Sequence, residues 1–407
     1  MVQVNVEPER HGFCAKRLAR IAPWLESYVE SGRLPNALVL VTRDGEPVYR
    51  HHAGFADVES ARPIAPDSIF RIYSMSKAIT SVAVMMLYEQ GLFQLDDPVQ
   101  GFIPEVESMR VFVAADGRGL RTEPARSPIT VKHLLMHTAG FSYSFGELAP
   151  VTRLYQQHKL DFGPRSGTLT EVVERLATVP LVHHPGERWN YGVSTDVLGL
   201  LVERASGQRF DEFLRRHVLQ PLAMGDTGFA LPPEQQHRFT SLYQPAHELG
   251  GLQRIDAFDE SSYARVVNCY SGGGGLLSTL ADYHRFTQML LNRGELDGVR
   301  LLGRKTVDYM TCNHLAGDLT DMGQASFNET SFAGVGFGLG FAVTLDPTRA
   351  DVIGTAGEYH WGGMASTAFW IDPSERMTVV FMTQLSPSST YPIRRELRVL
   401  TYQALID

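Results

Sequence analysis

The chain has 407 residues, 43% of them hydrophobic, with 37 Lys and Arg against 45 Asp and Glu and a formal net charge of −8. That is enough chain and apolar content for one large domain, or two closely packed ones, around a true core. The mild acidity is scattered, and the absence of a basic stripe or basic amphipathic helix argues against nucleic acid and membrane as partners.

The first residues lack a charged region followed by an apolar run, and no stretch of about 18 apolar residues occurs, so a cytoplasmic location is the expectation. Cys14, Cys269 and Cys312 are widely spaced with no C-x-x-C pair. This argues against a disulfide framework and a zinc site, and leaves reduced, buried thiols as the reading. Neither a metal nor a cofactor is expected.

From about residue 9 to 31, Leu18, Ile21, Leu25, Tyr28 and Val29 recur at helical spacing, and Gly32 ends the run. The stretches 37–42 and 47–56 are rich in β-formers and flank Asp44-Gly45, a hairpin signal. Ser76 to Gln90 has no Pro or Gly and is apolar on nearly every face, which predicts a buried helix stopped by Gly91. Residues 95–99 read as a turn and 129–140 as a short capped helix with a glycine stop. From 141 to 265 the pattern is of helices (169–179, 195–205, 210–218) and long loops, with no strand ladder evident. Ser271-Gly272-Gly273-Gly274-Gly275 lacks the Gly-Lys-Ser/Thr ending of a phosphate loop and reads as a tight turn before a helix at 280–291. Strand character returns at 338–345, 366–373 and 377–383, in an antiparallel meander, before a closing amphipathic helix at 393–404. The expected architecture is α+β: residues 1–72 and 330–407 build a sheet region from both termini, and 73–329 form a mostly helical region.

One pattern carries chemistry. Ser74 and Lys77, at i and i+3, share a face of the first turn of the buried helix, so the lysine nitrogen reaches the serine hydroxyl beside backbone N–H groups. Only five lysines occur, and chance supplies about 0.3 of a Ser-x-x-Lys at ordinary serine usage. The four residues alone therefore decide nothing, and their place at the mouth of an apolar helix is what favours function. Tyr191, in Trp189-Asn190-Tyr191-Gly192-Val193, opens a later helix and by itself is an ordinary core or capping aromatic. A Ser-His pair built on His137, His183, His184 or His360 finds no acid at a telling position, and no G-x-S-x-G elbow exists.

The order Ser74-x-x-Lys77, then Tyr191, then Trp361-Gly362-Gly363 resembles the serine β-lactamase and penicillin-binding-protein superfamily, and most closely its family VIII carboxylesterases and statin-type acyltransferases. Leu95-Asp96-Asp97-Pro98-Val99, Leu134 to Gly140 and Ser271 to Gly275 extend the resemblance over nearly the whole chain. It implies a β-lactamase/transpeptidase-like fold, with Ser74, Lys77 and Tyr191 catalytic and the backbone N–H groups of Ser74 and Met364 as the oxyanion hole. Tyr143, Phe145, Trp361, Gly362 and Gly363 would bind substrate. Two departures separate the chain from β-lactamases: Val193 stands where Tyr-x-Asn has its amide, and Trp361-Gly362-Gly363 replaces Lys-Thr-Gly. Lys305-Thr306, the remaining Lys-Thr, is followed by Val307 in a helical stretch and is a decoy. Without that lysine a substrate carboxylate loses its cationic partner, which points to small neutral short-chain esters cleaved through an acyl-enzyme. The rival is acyl transfer to an alcohol, with weak β-lactamase action as a side activity. Oligomeric state leaves no mark in the sequence.

Overall fold

The computed structural model describes residues 2–117, 119–146, 149–246, 250–324, 326–327 and 330–407. The N-terminal helical run divides into short turns and one helix, α1 (Ile21–Glu30), whose Ile21, Leu25 and Tyr28 are buried. The hairpin follows as β1 (Asn36–Arg43) and β2 (Glu46–Asp57). Its Asp44 and Gly45 both have positive φ, 56° and 84°, which is the left-handed pair that matches strand twist and that Asp-Gly accommodates.

After β3 (Arg62–Pro63) the chain crosses to the helical side and returns to the sheet at β4 (Val335–Phe337), β5 (Ala342–Thr344), β6 (Tyr359–Gly362), β7 (Ala368–Asp372) and β8 (Met377–Met382). The eight strands lie in the order β4-β5-β6-β7-β8-β1-β2-β3, antiparallel throughout, so the first hairpin pairs with the last strand. Of the expected strand at 338–345, Ala342–Thr344 forms β5, while 338–341 is the tight turn from β4, where Gly338 and Gly340 interrupt the run.

Both faces of the sheet are covered, and the period of two sorts the residues. Leu38, Leu40, Phe369, Ile371, Val380 and Met382 join one core with α2 (Ser76–Glu89), α3 (Ser194–Ser206) and α4 (Leu280–Leu291). Ala37, Val39, Val41, Trp370, Val379 and Phe381 pack on α1 and on α5 (Ile393–Tyr402). A central strand buried on both faces explains why 37–42 and 377–382 read as continuous apolar runs rather than alternating ones.

The two longest hairpins that went unread in the sequence are Arg110–Asp116 with Gly119–Pro124, and Leu242–Pro245 with Leu252–Asp256. The second corrects the expectation of no ladder between 141 and 265. Both carry many charged and polar residues and lie largely at the surface, so neither shows an apolar period of two. The cysteines also differ from expectation: Cys269 is buried, but Cys14 is partly exposed and Cys312 exposed, and all three are free thiols. No helix among the described residues is long and apolar enough to cross a membrane.

Candidate active site

Ser74 sits in a single turn, Tyr73–Met75, at the entrance to α2. Tyr73 holds φ of 42°, a left-handed conformation that costs energy for a residue with a side chain and that turns the chain sharply before the serine. Three elements brace this turn. Tyr283 of α4 donates its hydroxyl to the Met75 carbonyl at 3.0 Å. Ser76 Oγ accepts from the Leu276 amide at 3.1 Å. From the sheet, Gly363 comes so close that a Cβ there would lie 2.5 Å from the Ile72 carbonyl oxygen, which is why the end of β6 needs glycine.

Lys77, one turn into α2, is 2% exposed. Its Nζ donates to Ser74 Oγ at 3.2 Å, to Tyr143 Oη at 2.9 Å and to the Gly273 carbonyl at 2.6 Å. Three acceptors match the three donors of an ammonium. Tyr191 donates its hydroxyl to Ser74 Oγ at 2.6 Å. The Lys77 nitrogen also lies 4.7 Å from the centre of the Tyr191 ring, within cation–π range. Tyr191 is delivered by the loop before α3, which runs beside 137–142: the Asn190 amide donates to the His137 carbonyl at 2.9 Å, and Asn190 Nδ2 to the Phe141 carbonyl at 2.7 Å.

None of the four histidines makes a hydrogen bond to Ser74 among the described residues, although His183 and His360 border the cleft. His137 is an aromatic spacer against Tyr191, Trp189 and Phe337, kept neutral because burial, and secondarily Lys77, pushes its pKa well below the imidazole norm. His183 Nδ1 donates to the His184 carbonyl, and His184 pairs with Glu123 at 2.8 Å. His360 pairs across the sheet with Trp370. It faces away from Trp361, and burial together with Arg398 and Arg394 depresses its pKa.

The cleft over Ser74 has a volume of about 960 Å³, and its walls include Phe145, Tyr191, Trp361, Gly362, Gly363 and Met364. Trp361 stands against Tyr191 and Phe337, 5.5 Å between ring centres in each case. Tyr143, expected on the wall, instead turns its hydroxyl inward to Lys77, while its ring stacks on Phe145 at 4.8 Å. Met364 is on the rim at 41% exposure. Lys305-Thr306 lies on the helix Arg304–Met310, with Lys305 paired at 3.7 Å to Asp308 on that same helix.

Sequence reasoning missed three groups around the lysine: the Tyr143 hydroxyl, the Gly273 carbonyl and Asp196. The Ser271–Gly275 run is the turn expected, with residues 272–274 turning back toward α2. Thr80 of α2 donates its hydroxyl to the Gly272 carbonyl at 2.8 Å. Asp196, in the first turn of α3 and 1% exposed, had one readable signal, an acid inside an otherwise apolar helical run. Arg394 of α5 reaches the cleft wall and donates from Nη2 to the carbonyls of Gly363 and Thr367 at 3.1 and 3.0 Å.

Comparison with known proteins agrees with this architecture. Over 401 residues the chain is 31% identical to esterase EstB of Burkholderia gladioli, covering 94% of both chains. Its fold superposes on the unliganded simvastatin synthase LovD of Aspergillus terreus with a TM-score of 0.81 and 26% identity, over 97% of this chain and 98% of that one. EstCE1, described as a hydrolase with promiscuous acyltransferase activity, gives 0.78 at 25% identity, over 97% and 98%. The family model for β-lactamases matches residues 21–403, and the chain belongs to the β-lactamase family.

Proposed function

We propose that the protein is a serine carboxylesterase that cleaves small neutral short-chain esters through an acyl-enzyme on Ser74. The observation that carries this reading is the position of Ser74 Oγ, 2.6 Å from Tyr191 Oη and 3.2 Å from Lys77 Nζ, at the floor of an open cleft. In the first half-reaction Ser74 Oγ attacks the ester carbonyl and its proton passes to the Lys77–Tyr191 pair. The pair returns a proton to the departing alkoxide, leaving an acyl group on Ser74. Water then takes the place of the alcohol and the steps run in reverse. The Ser74 and Met364 N–H groups are the oxyanion donors in this reading, each worth on the order of 3 kcal/mol in the barrier.

The preference for neutral esters rests on Trp361, whose indole fills the place where lactam-cleaving relatives carry lysine. Of the arginines that line the cleft, Arg188, Arg394, Arg395 and Arg398, Arg394 donates to the Gly363 and Thr367 carbonyls, Arg395 pairs with Asp351 and Arg398 pairs with Glu358. Acyl transfer to an alcohol is the second reading, favoured by the likeness to simvastatin synthase and to EstCE1. Only the second nucleophile differs, so partitioning separates the two. With p-nitrophenyl butyrate and millimolar primary alcohol, the esterase reading expects free butyrate as the main product. Predominant transfer to the alcohol would replace it with the acyltransferase reading.

A further inference from the structure

The turn that holds Lys77 is itself held by an acid that the reaction above does not use. Asp196 Oδ1 accepts from Ser271 Oγ at 2.5 Å and from the Gly273 N–H at 2.9 Å. Ser271 Oγ in turn accepts from the Gly274 N–H at 3.0 Å. The residue whose N–H meets Asp196 is the one whose carbonyl meets Lys77 Nζ, at 2.6 Å. The fit leaves no slack: a Cβ at Gly273 would stand 2.3 Å from Asp196 Oδ2, and one at Gly272 would stand 2.6 Å from the Thr195 carbonyl. The turn therefore bridges α2, which carries Lys77, and the entrance of α3, which follows Tyr191.

A carboxylate taken wholly out of water is strongly penalised unless hydrogen bonds and an opposite charge offset the penalty. An apolar side chain would pack the start of α3 without that cost. Here the hydrogen bonds come from the Ser271–Gly275 turn, and the opposite charge is Lys77.

We propose that Asp196 is a positioning residue of this site: its carboxylate clamps the Ser271–Gly275 turn so that the Gly273 carbonyl fixes Lys77 Nζ beside Ser74, and it is the buried counter-charge of the Lys77 ammonium. This rests on the esterase reading only in taking Ser74 as the nucleophile.

Burial raises the Asp196 pKa to about 6, against the pull of Lys77, Ser271 and the Gly273 N–H. The other titratable groups that act with Asp196 are Asp161, Tyr143 and Cys269, and His137 acts with Lys77. His137 is driven well below the imidazole norm by burial and Lys77, while burial drives Tyr143 and Cys269 well above their ordinary values. Loss of the counter-charge thus falls in the window around pH 6, fully ionised above it and neutral below.

The test is the rate at which a fluorophosphonate modifies Ser74 between pH 5 and 9, followed by mass in the wild type, Asp196→Asn and Ser271→Ala, with thermal unfolding of each. Asp196→Asn keeps an acceptor oxygen and removes the charge, whereas Ser271→Ala keeps the charge and removes one clamp bond. The wild-type rate is expected to rise through a midpoint near pH 6. That limb should vanish in Asp196→Asn, with the rate at pH 8 lower on the order of tenfold to a hundredfold. Ser271→Ala should keep the limb at a severalfold lower rate. A folded Asp196→Asn with the wild-type limb overturns the proposal, and so does Ser271→Ala at the wild-type rate, whether or not Asp196→Asn folds. Because ester turnover is not the readout, a wild type that is phosphonylated but hydrolyses no ester refutes the esterase reading alone. A wild type that forms no adduct overturns both.

Discussion

Tyr191→Phe removes one oxygen and leaves the ring in its contacts with His137, Tyr143, Trp189 and Trp361. The oxygen lost is the one 2.6 Å from Ser74 Oγ, so the change removes the relay of the proposed reaction while disturbing little else. Positioned acid–base groups contribute about 10² to 10⁴ in rate, or roughly 3 to 5 kcal/mol in the barrier. The stability term is smaller, about 1 kcal/mol for one hydrogen bond. The prediction is a kcat for p-nitrophenyl butyrate lowered by about 10² to 10⁴, with KM nearly unchanged and a melting temperature within a few degrees of wild type. Lys77→Ala should lose a similar factor. Because both act on one serine proton, the double variant should lose little more than either single one, far short of the product. Stopped-flow kinetics on the four proteins measures this directly. His360→Ala, which alters a side chain on the other face of β6, should stay within about threefold of wild type, since it touches neither Ser74 nor its partners. Near-normal turnover in Tyr191→Phe, or a collapse in His360→Ala with Lys77→Ala active, would refute the reasoning and revive a Ser-His pair.

Away from the site, Asp318 accepts from the N–H groups of Gly334, Thr320 and Asp321 and pairs with Arg349 at 2.7 Å. Burial opposes its charge, but the Thr320, Gly334 and Asp321 hydrogen bonds and Arg349 outweigh it and hold the pKa at about 2. A depressed carboxylate contributes stability above its unfolded pKa, and that contribution fades as pH falls through the folded one. Asp318→Asn should therefore melt lower than wild type at pH 7, with the gap closing between about pH 4 and 2; a gap independent of pH in thermal melts would contradict this. Trp361→Ala should open the cleft beside Tyr191 and Phe337, so that the best acyl chain among p-nitrophenyl esters from acetyl to decanoyl becomes longer than the short chain expected of the wild type. An unchanged optimum would remove Trp361 from the acyl wall.

The parts of this molecule legible in the sequence were those where local pattern and tertiary role coincide. The Asp44-Gly45 hairpin and the apolar helix at 76–89 are specified by turn chemistry and burial within a few residues. Strands β7 and β8 and the helix at 280–291 were legible for the same reason, whereas β6 was not read as a strand. The hairpins at 110–124 and 242–256 were not, because exposed strands lose the alternation that reports a buried face. At the site, Ser74, Lys77 and Tyr191 were singled out through the spacing of one motif and a resemblance, and the structure brings their polar atoms together. Tyr143 was assigned to the substrate because the stretch 141–145 resembles the acceptor-side wall of the statin-type acyltransferases. Its hydroxyl goes to Lys77 instead, a contact across 66 residues of sequence that no local pattern encodes. The Gly273 carbonyl was equally hidden, since a main-chain acceptor leaves no residue-type signature.

The central claim is that Ser74 carries the acyl group while Lys77 and Tyr191 move its proton. Acid quenching of the enzyme during turnover of p-nitrophenyl butyrate, followed by peptide mass analysis, tests it most directly. The account predicts one butyryl group on the peptide containing Ser74 in the wild type, and its accumulation slowed in Tyr191→Phe in proportion to the loss of kcat. A butyryl group on any other residue, or ester turnover that persists in Ser74→Ala, would contradict it.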